Sequence, residues 1–210
     1  YNAPIQVLRQ IEMEITPLVG ERVEQALALA DDLWEERTLE MRLLAVHILG
    51  RVPPRAKNLN ERLTDWVAET REPTLRRALL SRTLERLRAE APERFLRLVG
   101  NWMAPNRPKM WSNGIQALLP LLKDPNFENL PPVYEMIRPV LEAAPPLLQG
   151  ELTELVNALY KASPVETQYY LKQIIALSPN PQTRLTLRRM LPGMEPALAD
   201  ALRDPLRQAK

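Results

Sequence analysis

The sequence predicts an all-α protein built as an α-solenoid, a stack of about six antiparallel helix pairs wound into a right-handed superhelix. Three observations carry this. Proline recurs through the chain, 21 times in 210 residues, dispersed rather than clustered. Between the prolines lie Leu/Ala/Arg/Glu-rich segments of helix length, and runs with the two-residue alternation of a strand are lacking. Finally, 45% hydrophobic and 26% charged residues are enough for a sizeable core and do not resemble a disordered chain. One domain over residues 1–210 is expected.

Each helix can be placed by its start signal and its apolar stripe. Proline is expected mainly at the first helical position, where its missing N–H costs nothing and its fixed φ suits the helix. Ser163-Pro164-Val165-Glu166 reads as a capping box and Asn180-Pro181 as a cap one helix later. Glu72-Pro73, Ala91-Pro92 and Glu195-Pro196 are weaker versions of the same signal. Helices are predicted near 4–15, 18–31, 38–51, 58–70, 73–89, 92–103, 109–122, 131–143, 146–162, 164–177, 181–190 and 196–206. In 146–162, Leu147, Leu148, Leu152, Leu155, Ala158 and Leu159 form one stripe, with Glu151 and Glu154 opposite. In 38–51 the stripe is Leu39, Leu43, Leu44, Ile48 and Leu49. In 73–89, Leu75, Leu79, Leu80, Leu84 and Leu87 cover half the wheel and leave Arg77, Ser81, Arg82, Glu85 and Arg88 as a surface.

Composition removes several function classes. Without cysteine there is no disulfide, thiolate zinc site or cysteine nucleophile, and a reducing, cytoplasmic setting is expected. His47 is the single histidine, too few parts for a two-histidine metal site or a Ser-His-Asp triad. Beside Leu44 and Ile48, it reads as a satisfied helix residue. No metal site is expected. No Gly-x-Gly-x-x-Gly or Gly-Lys-Ser/Thr run cradles a phosphate, so no cofactor is implied. No apolar run reaches the length of a membrane span and no leader opens the chain. The chain begins at Tyr1 rather than Met, so residues upstream are expected.

The net charge of +2 conceals an asymmetry. Residues 1–50 hold 4 Lys/Arg against 9 Asp/Glu, whereas residues 51–110 hold 14 against 7. A basic middle of this kind can hold a phosphate backbone by releasing counterions. Arg77, Arg82, Arg88, Arg107 and Lys109 are the cations assigned to that role, with Trp111 as the aromatic nearest the groove. The same cations also read as a solvated face, because Glu72 and Arg76, Glu85 and Arg88, and Glu90 and Arg94 stand at helical pairing distance. Trp34 and Trp66 are expected to pack between helix layers rather than meet a ligand. Tyr169 and Tyr170 point in divergent directions, and Arg184, Arg188 and Arg189 form a second small basic cluster.

The stretch Asp32-Leu33-Trp34-Glu35-Glu36-Arg37-Thr38-Leu39-Glu40-Met41-Arg42 and the apolar helix after it resemble an early repeat of the HEAT-like DNA alkylation repair family. Pro92-Glu93-Arg94-Phe95, Trp102, Asn106 and Trp111 resemble that family's paired-tryptophan segment. The resemblance implies a HEAT-like solenoid whose known members are DNA glycosylases, with a basic concave face on the duplex backbone. Aromatic rings, an Asp and an Arg after the second tryptophan attend the cationic alkylated purine. The chain departs from this pattern twice. Ser112-Asn113-Gly114 follow Trp111 where the family supplies Arg, and the residue four beyond Trp66 is Thr70.

Departure of a cationic base leaves positive charge on the sugar and needs a placed carboxylate. Asp65, directly before Trp66, is the candidate acid, a surface residue unless its helix turns it inward, and Asp124 is the other. Three functions therefore stay open. They are a catalytically silent module binding nucleic acid or a protein, an active glycosylase using Asp65 or Asp124, and an adaptor for an acidic protein partner.

Overall fold

The computed structural model describes residues 5–208, which hold helices and links and no strand among the described residues. They gather into two compact units, divided between Leu98 and Val99, and the division falls within helix α7. The first unit contains α1 (Ile5–Glu21), α2 (Val23–Glu35), α3 (Leu39–Arg51), α4 (Leu59–Glu69), α5 (Pro73–Ala78), a π-helical turn (Leu79–Thr83) and α6 (Leu84–Glu90). Helix α7 (Pro92–Trp102) follows. The second unit continues with α8 (Trp111–Leu122), α9 (Pro131–Ala143), α10 (Gln149–Ala162), α11 (Pro164–Leu177), α12 (Pro181–Met190) and α13 (Pro196–Gln208).

Each unit is α-solenoid-like, with helices packed mainly on near neighbours in the chain, although α9 packs on α12. In the first unit α1 meets α2 and α3, and α3 meets α2, α5, the π turn and α6. Alternate helices thus line up as one layer, α1, α3 and α5–α6. The other layer, α2 and α4, is joined by the parallel rings of Trp34 and Trp66, with centroids 4.2 Å apart. A two-pronged ion pair from Arg62 to Asp31, at 2.6 and 2.8 Å, ties the same two helices. In the second unit α10 meets α8, α11 and α12, and α11 meets α13. Tyr134 of α9 reaches Thr167 of α11 by a hydroxyl contact of 2.9 Å, and Tyr170 donates to the Tyr134 carbonyl at 2.5 Å.

Prolines stand at the first residue of α5, α7, α9, α11, α12 and α13, as their fixed φ favours. Pro17, Pro120, Pro139 and Pro205 correct the simple rule, since they lie inside helices. The first link therefore lies later than the sequence predicts: α1 runs through Pro17 to Glu21, and Val19, fully buried beyond the proline, holds the last turn. Packing there outweighs one lost backbone bond. The caps also differ from expectation. Asn180 accepts from the Gln182 N–H at 2.9 Å, as a cap should. Ser163 caps by position only, without a side-chain bond. Glu72, the weaker signal, accepts from the Leu75 N–H at 2.5 Å, and that backbone bond holds its carboxyl below the usual range. Leu147 leaves the α10 stripe, since it sits in a 3₁₀ turn (Pro146–Leu148) and is 91% exposed.

The predicted helix 73–89 is present as one rod with the π turn in its middle. A π turn accommodates an extra residue and redirects the face that follows. Leu75, Leu79, Leu80, Thr83, Leu84 and Leu87 are all buried along it, so both halves keep their apolar side inward. Gly50 of α3 lies against this turn: a Cβ there would stand 3.2 Å from the Arg82 carbonyl oxygen and 3.3 Å from the Thr83 Cα. Close backbone approach is the reason for glycine at this point.

Candidate nucleic-acid interface

The cations singled out in the sequence divide between the two units. Arg77 is exposed on α5 and Arg82 is 68% exposed on the π turn. Arg88 is half-buried, its guanidinium 5.8 Å over the Phe95 ring, so packing claims part of it. In the second unit Arg107 is half-buried before a 3₁₀ turn (Pro108–Met110) that carries the exposed Lys109. Trp111 is only 2% exposed, and its indole N–H donates to the Ala104 carbonyl at 3.0 Å. Its ring therefore fills the interior of its own unit rather than presenting a stacking face.

Trp34 and Trp66 are 2% and 5% exposed and stack on each other between α2 and α4, so both are taken up by packing, within one layer rather than between layers. Arg42 lies over Trp34 at 4.4 Å, donates to the Trp34 carbonyl at 3.0 Å and pairs with Glu69 at 2.9 Å. The stack is closed by protein groups on its outer side. Asp65 is exposed on α4 and Thr70 spends its hydroxyl on the Trp66 carbonyl at 2.7 Å. In the Ser112-Asn113-Gly114 segment, where the family pattern supplies Arg, Ser112 donates to Glu151 at 2.6 Å and the buried Asn113 amide lies 3.6 Å from the Met110 sulfur. The four-residue spacing counted from Trp66 also applies to Trp102, and there it reaches Asn106, an exposed amide. An amide cannot supply the charge that a developing oxocarbenium requires.

Two clefts lie over the middle helices of the layers. In the second unit a cleft of about 1190 Å³ runs along α10, with Phe127, Asn157, Glu154 and Arg189 on its walls. Asp124 stands at its edge, its carboxylate held by the Asn126 backbone N–H at 2.9 Å. In the first unit a cleft of about 620 Å³ lies over α3, between α1 and the π turn with α6. His47, Arg51, Arg82 and Arg86 reach it together with Glu12, Glu85 and Glu90. Burial pushes the His47 pKa below 6.5 against the opposing pull of Glu12, and Arg51 and Arg82 lower it further. Sequence reasoning missed this cluster, because Glu12 and Arg82 are brought to His47 from other helices. That His47 is the chain's one histidine was the available signal.

Among the described residues no three or more His, Cys, Asp or Glu side chains group as a metal site, and no helix is long and apolar enough to cross a membrane. No curated protein sequence and no solved structure matches the chain. The family model of the DNA alkylation repair enzymes does match, over residues 1–190. Layered helix pairs and a match over nearly the whole length lead to one conclusion: the chain belongs to the DNA alkylation repair enzyme family, which gives it a DNA-repair-related function.

Proposed function

We propose that this chain is a catalytically silent member of the family, a single HEAT-like solenoid domain over 1–210 that binds duplex DNA by its phosphate backbone. The observation that carries the reading is the exposed cations in a DNA-repair family, at Arg77 and Arg82 in the first unit and Lys109 in the second. Each unit offers its own phosphate contacts. Arg107 adds to those of the second, while the inward-turned Arg88 and Trp111 support the surface from behind. Silence is supported by Asn106 and Thr70 at the positions where a carboxylate would serve, and by Ser112-Asn113-Gly114, which carries no arginine after Trp111.

Backbone recognition without chemistry makes definite demands. Duplex binding should weaken steeply from low to physiological salt, and Arg77→Glu or Arg82→Glu should weaken it for every sequence alike. Each lost contact should lower the salt slope by about one. No measurable binding at low salt would reject the reading.

A second reading, an active glycosylase, is favoured by one feature. The α10 cleft places Asp124 near the aromatic Phe127, a combination suited to a cationic base. Incubation with alkylated duplex decides between them. The silent reading expects no free modified purine, whereas release abolished by Asp124→Asn or Asp65→Asn establishes the enzyme. Capture of an acidic protein in place of DNA is the remaining outcome, and salt-insensitive indifference to duplex would point there.

A further inference from the structure

The cleft over α3 holds a hydrogen-bond chain that fixes where a proton can go. Thr16 donates its hydroxyl hydrogen to the Glu12 carbonyl at 2.6 Å. Its oxygen therefore accepts from His47, whose Nε2 lies 2.9 Å away. Neutral His47 thus carries its hydrogen on Nε2 and turns the bare Nδ1 lone pair toward the Glu12 carboxylate, 3.6 Å away. The other carboxylate oxygen of Glu12 lies 4.0 Å from Arg82 Nη1. Glu12 is 19% exposed and Arg82 is 68% exposed, so the acid sits within the cleft and the guanidinium reaches in from its rim.

We propose that this cleft is a proton-gated site for a phosphodiester group, which Glu12 occupies as an internal counter-anion until His47 takes up a proton. The inference rests on the backbone-binding reading and names one of its contact points. The charged groups that line the cleft with His47 are Glu12 from α1, Arg51 from α3, and Arg82, Glu85, Arg86 and Glu90 from the π turn and α6, and Glu12, Arg51 and Arg82 act on His47 directly. Arg86 is already engaged, with Glu90 at 2.7 Å and with the Arg51 carbonyl. Three guanidinium groups against three carboxylates leave the cleft neutral while His47 is neutral. A proton added at Nδ1 makes the cleft net positive and pairs Glu12 with the imidazolium. Arg82 and Arg51 are then available to an incoming phosphate oxygen. By linkage, phosphate binding and protonation strengthen each other equally.

Because the chain has a single histidine, its Cε1 proton resonance reports the site directly. The full chain is titrated by NMR with dimethyl phosphate, which keeps one charge throughout, and with sodium chloride at equal ionic strength. The His47 midpoint should rise in dimethyl phosphate alone, and an unmoved midpoint overturns the proposal. Duplex affinity should be about fivefold tighter near pH 5.5 than near pH 7.5. Glu12→Gln should bind at the higher pH as the wild type does at the lower, and His47→Gln should lose the pH response. A pH response that persists in His47→Gln, or a Glu12→Gln variant no tighter than wild type, also overturns it. Should the wild type bind no duplex at any pH, the backbone reading falls by itself, and the His47 titration still decides the cleft.

Discussion

Replacing Gly50 by alanine tests the close contact between α3 and the π turn. Within a helix, Gly→Ala normally stabilises by about 1 kcal/mol through backbone entropy. At Gly50 the added methyl would lie 3.2 Å from the Arg82 carbonyl oxygen and 3.3 Å from the Thr83 Cα. Both are main-chain atoms of a turn anchored by its own buried Leu79 and Leu80 and by buried Leu84 after it. Overpacking against such atoms costs about 1–3 kcal/mol. The helix gain offsets only part of this, so Gly50→Ala should destabilise by about 1 kcal/mol. Gly20 in α1 provides the control, because a Cβ there meets nothing within 4 Å; Gly20→Ala should show the unopposed gain of about 1 kcal/mol. The assay is thermal unfolding followed by helical circular dichroism, where each change should move the midpoint by about 2–4 °C in opposite directions. If Gly50→Ala stabilises as much as Gly20→Ala, the turn yields freely and the close-approach argument is wrong.

Other expectations follow from the same packing. Trp34→Ala should cost about 3–5 kcal/mol in urea unfolding, since the ring is 2% exposed and stacked on Trp66. Asn180→Ala removes the cap on Gln182 and the donor to the Glu142 carbonyl, both at 2.9 Å. A loss of about 1–2 kcal/mol is expected, and a neutral result would mean water replaces both bonds. Arg37 adopts φ 58 after the end of α2, so Arg37→Gly should gain up to about 1 kcal/mol, read from the same melts. Burial raises the Tyr170 pKa well above its ordinary 10.0. The folded state therefore disfavours the phenolate, and its contribution, present below pH 10.0, should fade as pH rises beyond it. Tyr170→Phe should flatten that alkaline loss in denaturant midpoints measured against pH.

Much of the helical layout was legible because it depends on local chemistry. Proline at a first turn, as at Pro131, Pro164 and Pro181, sets φ wherever the chain goes afterwards. The stripes of Leu44 and Ile48, or of Leu152, Leu155 and Leu159, mark the inward face by spacing alone. Local signals fail where packing overrules them. Pro17 lies within a helix because Val19 is buried beyond it, and Leu147 leaves its stripe because the turn before α10 points it to solvent.

The sequence by itself determined an all-helical chain, the family and the pool of cations in its middle, because periodicity, caps and charge are properties of neighbours along the chain. Only the tertiary structure decided that Trp111 is interior, that Arg88 is partly taken up by Phe95, and that Glu12, His47 and Arg82 meet in one cleft. The Glu12, His47 and Arg82 cluster depends on contacts between helices some thirty or more residues apart, and the Arg88 and Trp111 contacts depend on how the chain folds back at a helix end. Which charges stand near a titrating group is fixed by the packing of layers, and no local pattern encodes it.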